Sequence, residues 1–164
     1  LWLFRDIYRD LLSRIDLIAM GSGIAVGMLW VITAPTSQNS EVAAWIVAQP
    51  VWLAAIWLVF RALGSIVMIP IAEELAFRGL LYRWLISRNF ETVSFATFSW
   101  LALIVSSLLL GLMHQRIVAG ALAGAVFALL MFRSGRLSDA IVSHMAANAV
   151  IVVWAIAAQH WHLL

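Results

Sequence analysis

The 164 residues are 65% hydrophobic and 11% charged, with a mean hydropathy of +1.01; soluble domains carry about half apolar and about a quarter charged residues, so a membrane protein is expected. All ten basic residues are arginine, the formal charge is only +2 and no basic cluster marks a soluble face, which argues against nucleic acid as a partner. Cysteine is absent, which excludes disulfides, thiolate metal sites and a cysteine nucleophile.

As apolar runs the chain divides into about five or six membrane-crossing helices, and the expected fold is an all-α, polytopic transmembrane helical bundle around a polar intramembrane cavity. The chain opens on Leu1 with no signal-peptide pattern, which reads as a piece of something longer. Residues 1–16 place Leu1, Phe4, Ile7, Tyr8, Leu11, Leu12 and Ile15 at helical spacing opposite Arg5, Arg9 and Arg14. That pattern predicts an amphipathic helix lying on the membrane surface.

Residues 17–50 read as a first span and an extracytoplasmic loop. Leu17 to Ala34 is uncharged and holds Gly23 and Gly27 four apart, a spacing that admits a close helical neighbour. Pro35 to Gln49 has no arginine, whereas Arg5, Arg9 and Arg14 flank the other end, so the N-terminus is expected on the cytoplasmic side.

Residues 51–164 read as the core. Val51 to Ile69 is apolar and continues through Pro70 into Ile71 to Ser87, which predicts one long, kinked helix. After a turn at Arg88 to Thr92, spans are expected over Ser94 to Met113, over Ile117 to Phe132 with Gly120 and Gly124 at close-packing spacing, and over Ser138 to Gln159, where Ser138 or Asp139 is placed to cap.

Charges at membrane depth cost several kcal/mol and normally face a cavity. Glu74 and Arg78 are four apart and can pair on one helical face, leaving Glu73, about 100° around, to face something else. A carboxylate in an apolar pocket beside a second one suits acceptance of a proton from water, which makes Glu73 the candidate general base. His114 ends a span. His144 and Asn148, four apart on the last helix, can both donate into a dry cavity, as a developing oxyanion requires. Singly these are a salt bridge, a boundary histidine and interhelical glue. Together, on three apolar helices, each carries its own insertion penalty and coincidence is a poor explanation. Tyr82, Ser106 and Ser107 read as packing or interhelical hydrogen-bonding residues.

The run EELAFRG from Glu73, a histidine ending a small-residue-rich span, and HMAAN from His144 resemble the CPBP (Abi) family of intramembrane proteases, whose best-known member is the type II CAAX prenyl endopeptidase. The resemblance covers roughly Val51 to the C-terminus, and departs where Leu110 stands in place of the usual phenylalanine four residues before His114. It looks nearest to bacterial CAAX-protease-related proteins, some fused behind an exosortase, so the resemblance implies a bacterial inner membrane and an exosortase-type neighbour. It also implies that Glu73, helped by His114, activates water to attack a peptide carbonyl of a membrane-associated substrate, that His144 and Asn148 stabilise the oxyanion, and that Glu74 and Arg78 support Glu73. No cofactor is expected on this reading. The alternative is zinc on Glu73, His114 and His144.

No HExxH, GxGD or GxSG pattern supports zinc-helix, aspartyl or rhomboid-like chemistry. A small proton or ion transporter, and a non-catalytic scaffold or bacteriocin-immunity protein, are the competing classes. One geometric tension stands. Ile117 to Ser134 carries the chain about 27 Å, yet His144 follows the next turn by only about 13 Å, so the two histidines meet only if helices tilt or the His114 to Arg116 turn dips into the bundle.

Overall fold

The computed structural model describes residues 16–35 and 41–164. Apart from Asp16, the surface helix expected over residues 1–16 lies outside the described residues. Six α-helical elements and two short 3₁₀ turns, with no strand, make up the described residues. They are α1 (Leu17–Ile32), α2 (Glu41–Ala48), α3 (Val51–Ile86), α4 (Trp100–Met113), α5 (Ile117–Ser134) and α6 (Leu137–Ala157). Of these, α3, α5 and α6 are long and apolar enough to cross a membrane, and the chain is an integral membrane protein built as a helical bundle.

The long third helix is continuous through Pro70, as expected, and it carries two π-helical stretches, Gly64–Met68 and Leu75–Leu81, that the sequence did not signal. Such bulges widen the helix by one residue and leave backbone groups without their regular partners.

Helix α4 begins at Trp100 rather than Ser94 and is 14 residues long, about 21 Å. The reason is local. Ser99 is extended and its hydroxyl accepts the Ala102 N–H, while the Tyr82 hydroxyl accepts the Ser99 N–H at 2.8 Å and holds the approach segment out of helix. Helix α1 stops at Ile32, two residues before the expected end. The stretch expected as loop after Pro35 contains α2, where Glu41 occupies the first turn, the end favourable to a negative charge, and Trp45 packs on Trp57 of α3. Helix α6 starts at Leu137, not under a Ser138 or Asp139 cap. Its N-cap is Arg136, whose guanidinium grips the buried Asp139 carboxylate at 2.9 and 3.0 Å.

The core lies among α3 to α6, around Tyr82, Leu103, Leu110, Phe127, Met131 and Ile141. Helix α1 lies against α6 at its glycines. A Cβ on Gly23 would stand 2.0 Å from the Ser143 carbonyl oxygen, and one on Gly27 2.6 Å from that of Ala147. At the N-terminal end of α1 Asp16 caps the helix through the Ile18 N–H at 2.7 Å and pairs with Arg133 of α5.

Candidate active site

Three helices deliver one polar cluster. From α3 come Glu73, Glu74 and Arg78. His114 sits at the C-terminal end of α4, and His144 two turns into α6. The Glu74 and Arg78 side chains are fully buried, and Arg78 Nη1 donates to Glu74 Oε1 at 3.1 Å, the four-residue pairing expected on one face. Arg78 Nη2 donates to the Gly124 carbonyl at 2.7 Å. Close approach at Gly124 is what permits this, since a Cβ there would stand 2.9 Å from Nη2.

Glu74 Oε1 also accepts from His144 Nδ1 at 2.9 Å. A carboxylate paired with an arginine offers only lone pairs, so His144 carries its proton on Nδ1 and turns Nε2 elsewhere. The same logic applies to His114, whose Nδ1 donates to the Leu110 carbonyl at 3.0 Å. Both Nε2 atoms then face one oxygen. Glu73 Oε2 lies 3.7 Å from Nε2 of His144 and 3.9 Å from Nε2 of His114. Those separations exceed a direct hydrogen bond, and Glu73 Oε2 is buried with no hydrogen-bond partner among the described residues. Phe127 stacks on the His144 ring at 4.7 Å, and Trp30 of α1 meets the His114 ring edge-on at 5.7 Å.

The two histidines therefore do meet. The α4–α5 turn itself does not dip inward: Gln115, in the left-handed region, is exposed and only His114 and Arg116 are half-buried, while α5 touches α4 so closely that a Cβ on Gly120 would stand 2.6 Å from the Gly111 Cα.

Asn148 belongs to the same cavity but not to that network. It donates to the Ser65 carbonyl at 2.8 Å. In the π-helical stretch the Ile69 N–H turns to the Gly64 carbonyl, and the residue five beyond Ser65 is Pro70, which has no N–H. Ser65 is left with an orphan carbonyl, and Asn148 satisfies it. A cavity of about 190 Å³ runs beside these groups, lined by His114, His144, Asn148, Ser65, Trp30 and Arg61 among others. Glu73 sits behind the two imidazoles, with 14% of its side-chain surface open.

Glu73, His114 and His144 each offer a donor atom within 4.8 Å of the others, and both imidazoles have Nδ1 anchored as metal-bound histidines do. The donor types suit zinc. Zinc bonds of about 2.0–2.1 Å at tetrahedral angles put ligand atoms about 3.3 Å apart, closer than the 3.7 and 3.9 Å seen to Glu73.

Arg61 and Ser65 were not among the residues singled out from sequence. The signal for Arg61 was present as the lone charge in an apolar run. Of the hydroxyls read as packing residues, Tyr82 bonds the Ser99 N–H and Ser106 the Leu103 carbonyl, whereas the Ser107 hydroxyl has no hydrogen-bond partner among the described residues.

A membrane helical bundle with a buried carboxylate, imidazole and guanidinium cluster is thus the class that fold and site define. A family model described as type II CAAX prenyl endopeptidase Rce1-like matches residues 54–150, more than half of the chain, and the chain belongs to that family. No curated protein and no solved structure matches it. At the level of the family, this is a CAAX-protease-like intramembrane endopeptidase.

Proposed function

We propose that the chain hydrolyses a peptide bond of a membrane-associated or hydrophobic peptide with a water activated by Glu73. The observation that carries this reading is the convergence of Glu73 Oε2 and the Nε2 atoms of His114 and His144 at 3.7 and 3.9 Å. A water wedged among them, donating to Glu73 Oε2 and to His114 Nε2 and accepting from His144 Nε2 when that ring is an imidazolium, fits that spacing better than direct contact does.

Glu73 takes one proton from the water as its oxygen attacks the carbonyl carbon, and His114 Nε2 orients the water. The C–N bond then breaks, and the proton held by Glu73 passes to the departing amine. His144 is held by Glu74, itself neutralised by Arg78, so these two support Glu73 through His144 rather than directly. Donation from His144 Nε2 to the oxyanion requires the imidazolium form, whose charge both glutamates face. Asn148 has one amide hydrogen committed to Ser65 and a second left for the oxyanion.

The same reading puts the chain in a bacterial inner membrane with its N-terminus on the cytoplasmic side, and lets it act beside an exosortase-type module. A zinc-dependent variant is favoured by the anchored imidazoles alone.

The test uses the full chain in lipid nanodiscs, hydrophobic peptides and ¹⁸O-labelled water, with products read by mass spectrometry. One ¹⁸O in each new carboxylate, loss of cleavage in Glu73→Gln, and indifference to 1,10-phenanthroline are expected. Cleavage abolished by the chelator and restored by zinc would replace the water reading with the metal one. Cleavage retained in Glu73→Gln would end both.

A further inference from the structure

Arg61 is a charge on the wall of this cavity that no described residue neutralises. It is half-buried on α3 and lines the same cavity as His114, His144 and Asn148. It makes no hydrogen bond, ion pair or ring contact with any described residue. The other described arginines are engaged. Arg78 binds Glu74 and Gly124, Arg83 the Val93 and Glu91 carbonyls, Arg88 the Trp84 ring, Arg116 the α1 C-terminus, and Arg133 and Arg136 bind Asp16 and Asp139.

Position makes the exception informative. Ten residues precede Arg61 in its helix, which puts it about 15 Å from the Val51 end, within a 36-residue helix long and apolar enough to cross a membrane. An arginine there normally pairs with a carboxylate or faces a polar pathway. Arg61, Ser65 and Ile69 recur every fourth residue along the cavity wall, and the next step of that row is Glu73. The cavity lining thus holds a guanidinium without a described partner together with both imidazoles of the site.

We propose that Arg61 is a carboxylate-binding subsite that fixes which peptide bond reaches Glu73. The inference rests on the peptidase reading for the bond-breaking step but not for binding. The planar guanidinium fork takes a carboxylate through two parallel hydrogen bonds. Arg61 and Glu73 are separated by no more than about 18 Å along the helix. An extended peptide advances about 3.4 Å per residue, so a carboxylate held at Arg61 lies on the order of five residues from the bond at Glu73. The carboxylate is either a free C-terminus or an Asp or Glu side chain.

The test compares three forms of one hydrophobic peptide carrying a benzophenone: free C-terminal acid, C-terminal amide, and amide with an internal Asp. Photo-crosslinking to the full chain in nanodiscs is measured for Glu73→Gln, and for Glu73→Gln combined with Arg61→Gln or Arg61→Lys. Cleavage of the same peptides is followed with Glu73 intact. The acid or the Asp form is expected to crosslink about 10- to 100-fold more readily than the plain amide. Arg61→Gln erases that preference and Arg61→Lys keeps part of it. Whichever form wins names the source of the carboxylate. With Glu73 intact, cleavage falls at a fixed distance from it, and Arg61→Gln lowers kcat/KM and scatters the cleavage position. Equal crosslinking of all three forms overturns the subsite. If anionic lipid co-purifying with the protein is then lost in Arg61→Gln, a lipid phosphate occupies the arginine instead. Carboxylate-dependent crosslinking without cleavage of any peptide keeps the subsite and removes the peptidase reading.

Discussion

His144 donates from Nδ1 to Glu74 Oε1 at 2.9 Å, and this one contact fixes which ring nitrogen is turned to Glu73. Replacing Glu74 by Gln leaves the shape but offers an amide whose orientation sets either tautomer. Turnover is expected to fall about 100-fold or more in kcat with KM little changed. Single-turnover kinetics on a cleaved peptide checks it.

Arg78 is the counter-charge of a carboxylate with no exposed surface. Arg78→Met leaves Glu74 buried without its arginine counter-charge, held only by His144, at a cost of about 3–5 kcal/mol. The double variant Arg78→Met with Glu74→Gln removes both charges and is expected to recover much of that loss, so the two effects are strongly non-additive. A thermal-unfolding cycle in detergent measures the coupling.

The same kind of cycle separates the two duties of Asn148. Asn148→Ala strips the Ser65 carbonyl of its donor and is expected to cost about 1–3 kcal/mol. In a Pro70→Ala background the restored N–H lies five residues beyond Ser65 and can serve that carbonyl, so the stability cost shrinks. The loss of activity persists in that background if Asn148 also binds the oxyanion.

Contact between α1 and α6 sets a contrast between two glycines. Gly23→Ala drives a methyl into the Ser143 carbonyl and is expected to destabilise by about 1–3 kcal/mol. Gly64→Ala meets nothing within 4 Å and is expected to leave the melting temperature unchanged or raised. Because Ser143 precedes His144, Gly23→Ala also lowers activity, whereas Gly64→Ala does not.

At the start of α1, the Ile18 N–H foremost, with Arg133, holds the Asp16 carboxyl below its ordinary value of 3.8. A group with a lowered folded pKa contributes stability that is complete above its unfolded value and fades as pH falls through the folded one. The melting temperature of the natural chain is therefore expected to drop below about pH 4. Asp16→Asn, measured between pH 3 and 6, is expected to melt lower than the natural chain above that point and to converge with it in acid.

Helical periodicity made the local half of this site legible. The Glu74–Arg78 pair and the separate outlook of Glu73 follow from positions on one helix, and the fold class followed from composition. Contacts that join distant segments were not legible. Glu74 meets His144 across 70 residues, and nothing near either shows that Glu74 serves the histidine rather than its neighbour Glu73. The orphan carbonyl at Ser65 exists only because the helix widens ahead of Pro70, and a proline in a helix signals disruption without saying which carbonyl is stranded. Arg61 was readable as a charge in lipid, but its row with Ser65, Ile69 and Glu73 emerges only when the wall of the cavity is seen. The late start of α4 came from a hydroxyl on another helix, Tyr82, which sequence periodicity does not register.

The central claim is that Glu73 performs proteolysis, and the most direct test compares protein termini in cells carrying the natural chain with cells carrying Glu73→Gln at matched expression and matched thermal stability. Enrichment of new N-termini by mass spectrometry is expected to return a small set of membrane-associated peptides whose termini vanish in the variant. A phenotype that persists in Glu73→Gln, with every terminus unchanged, would contradict the account and leave a membrane scaffold as the function.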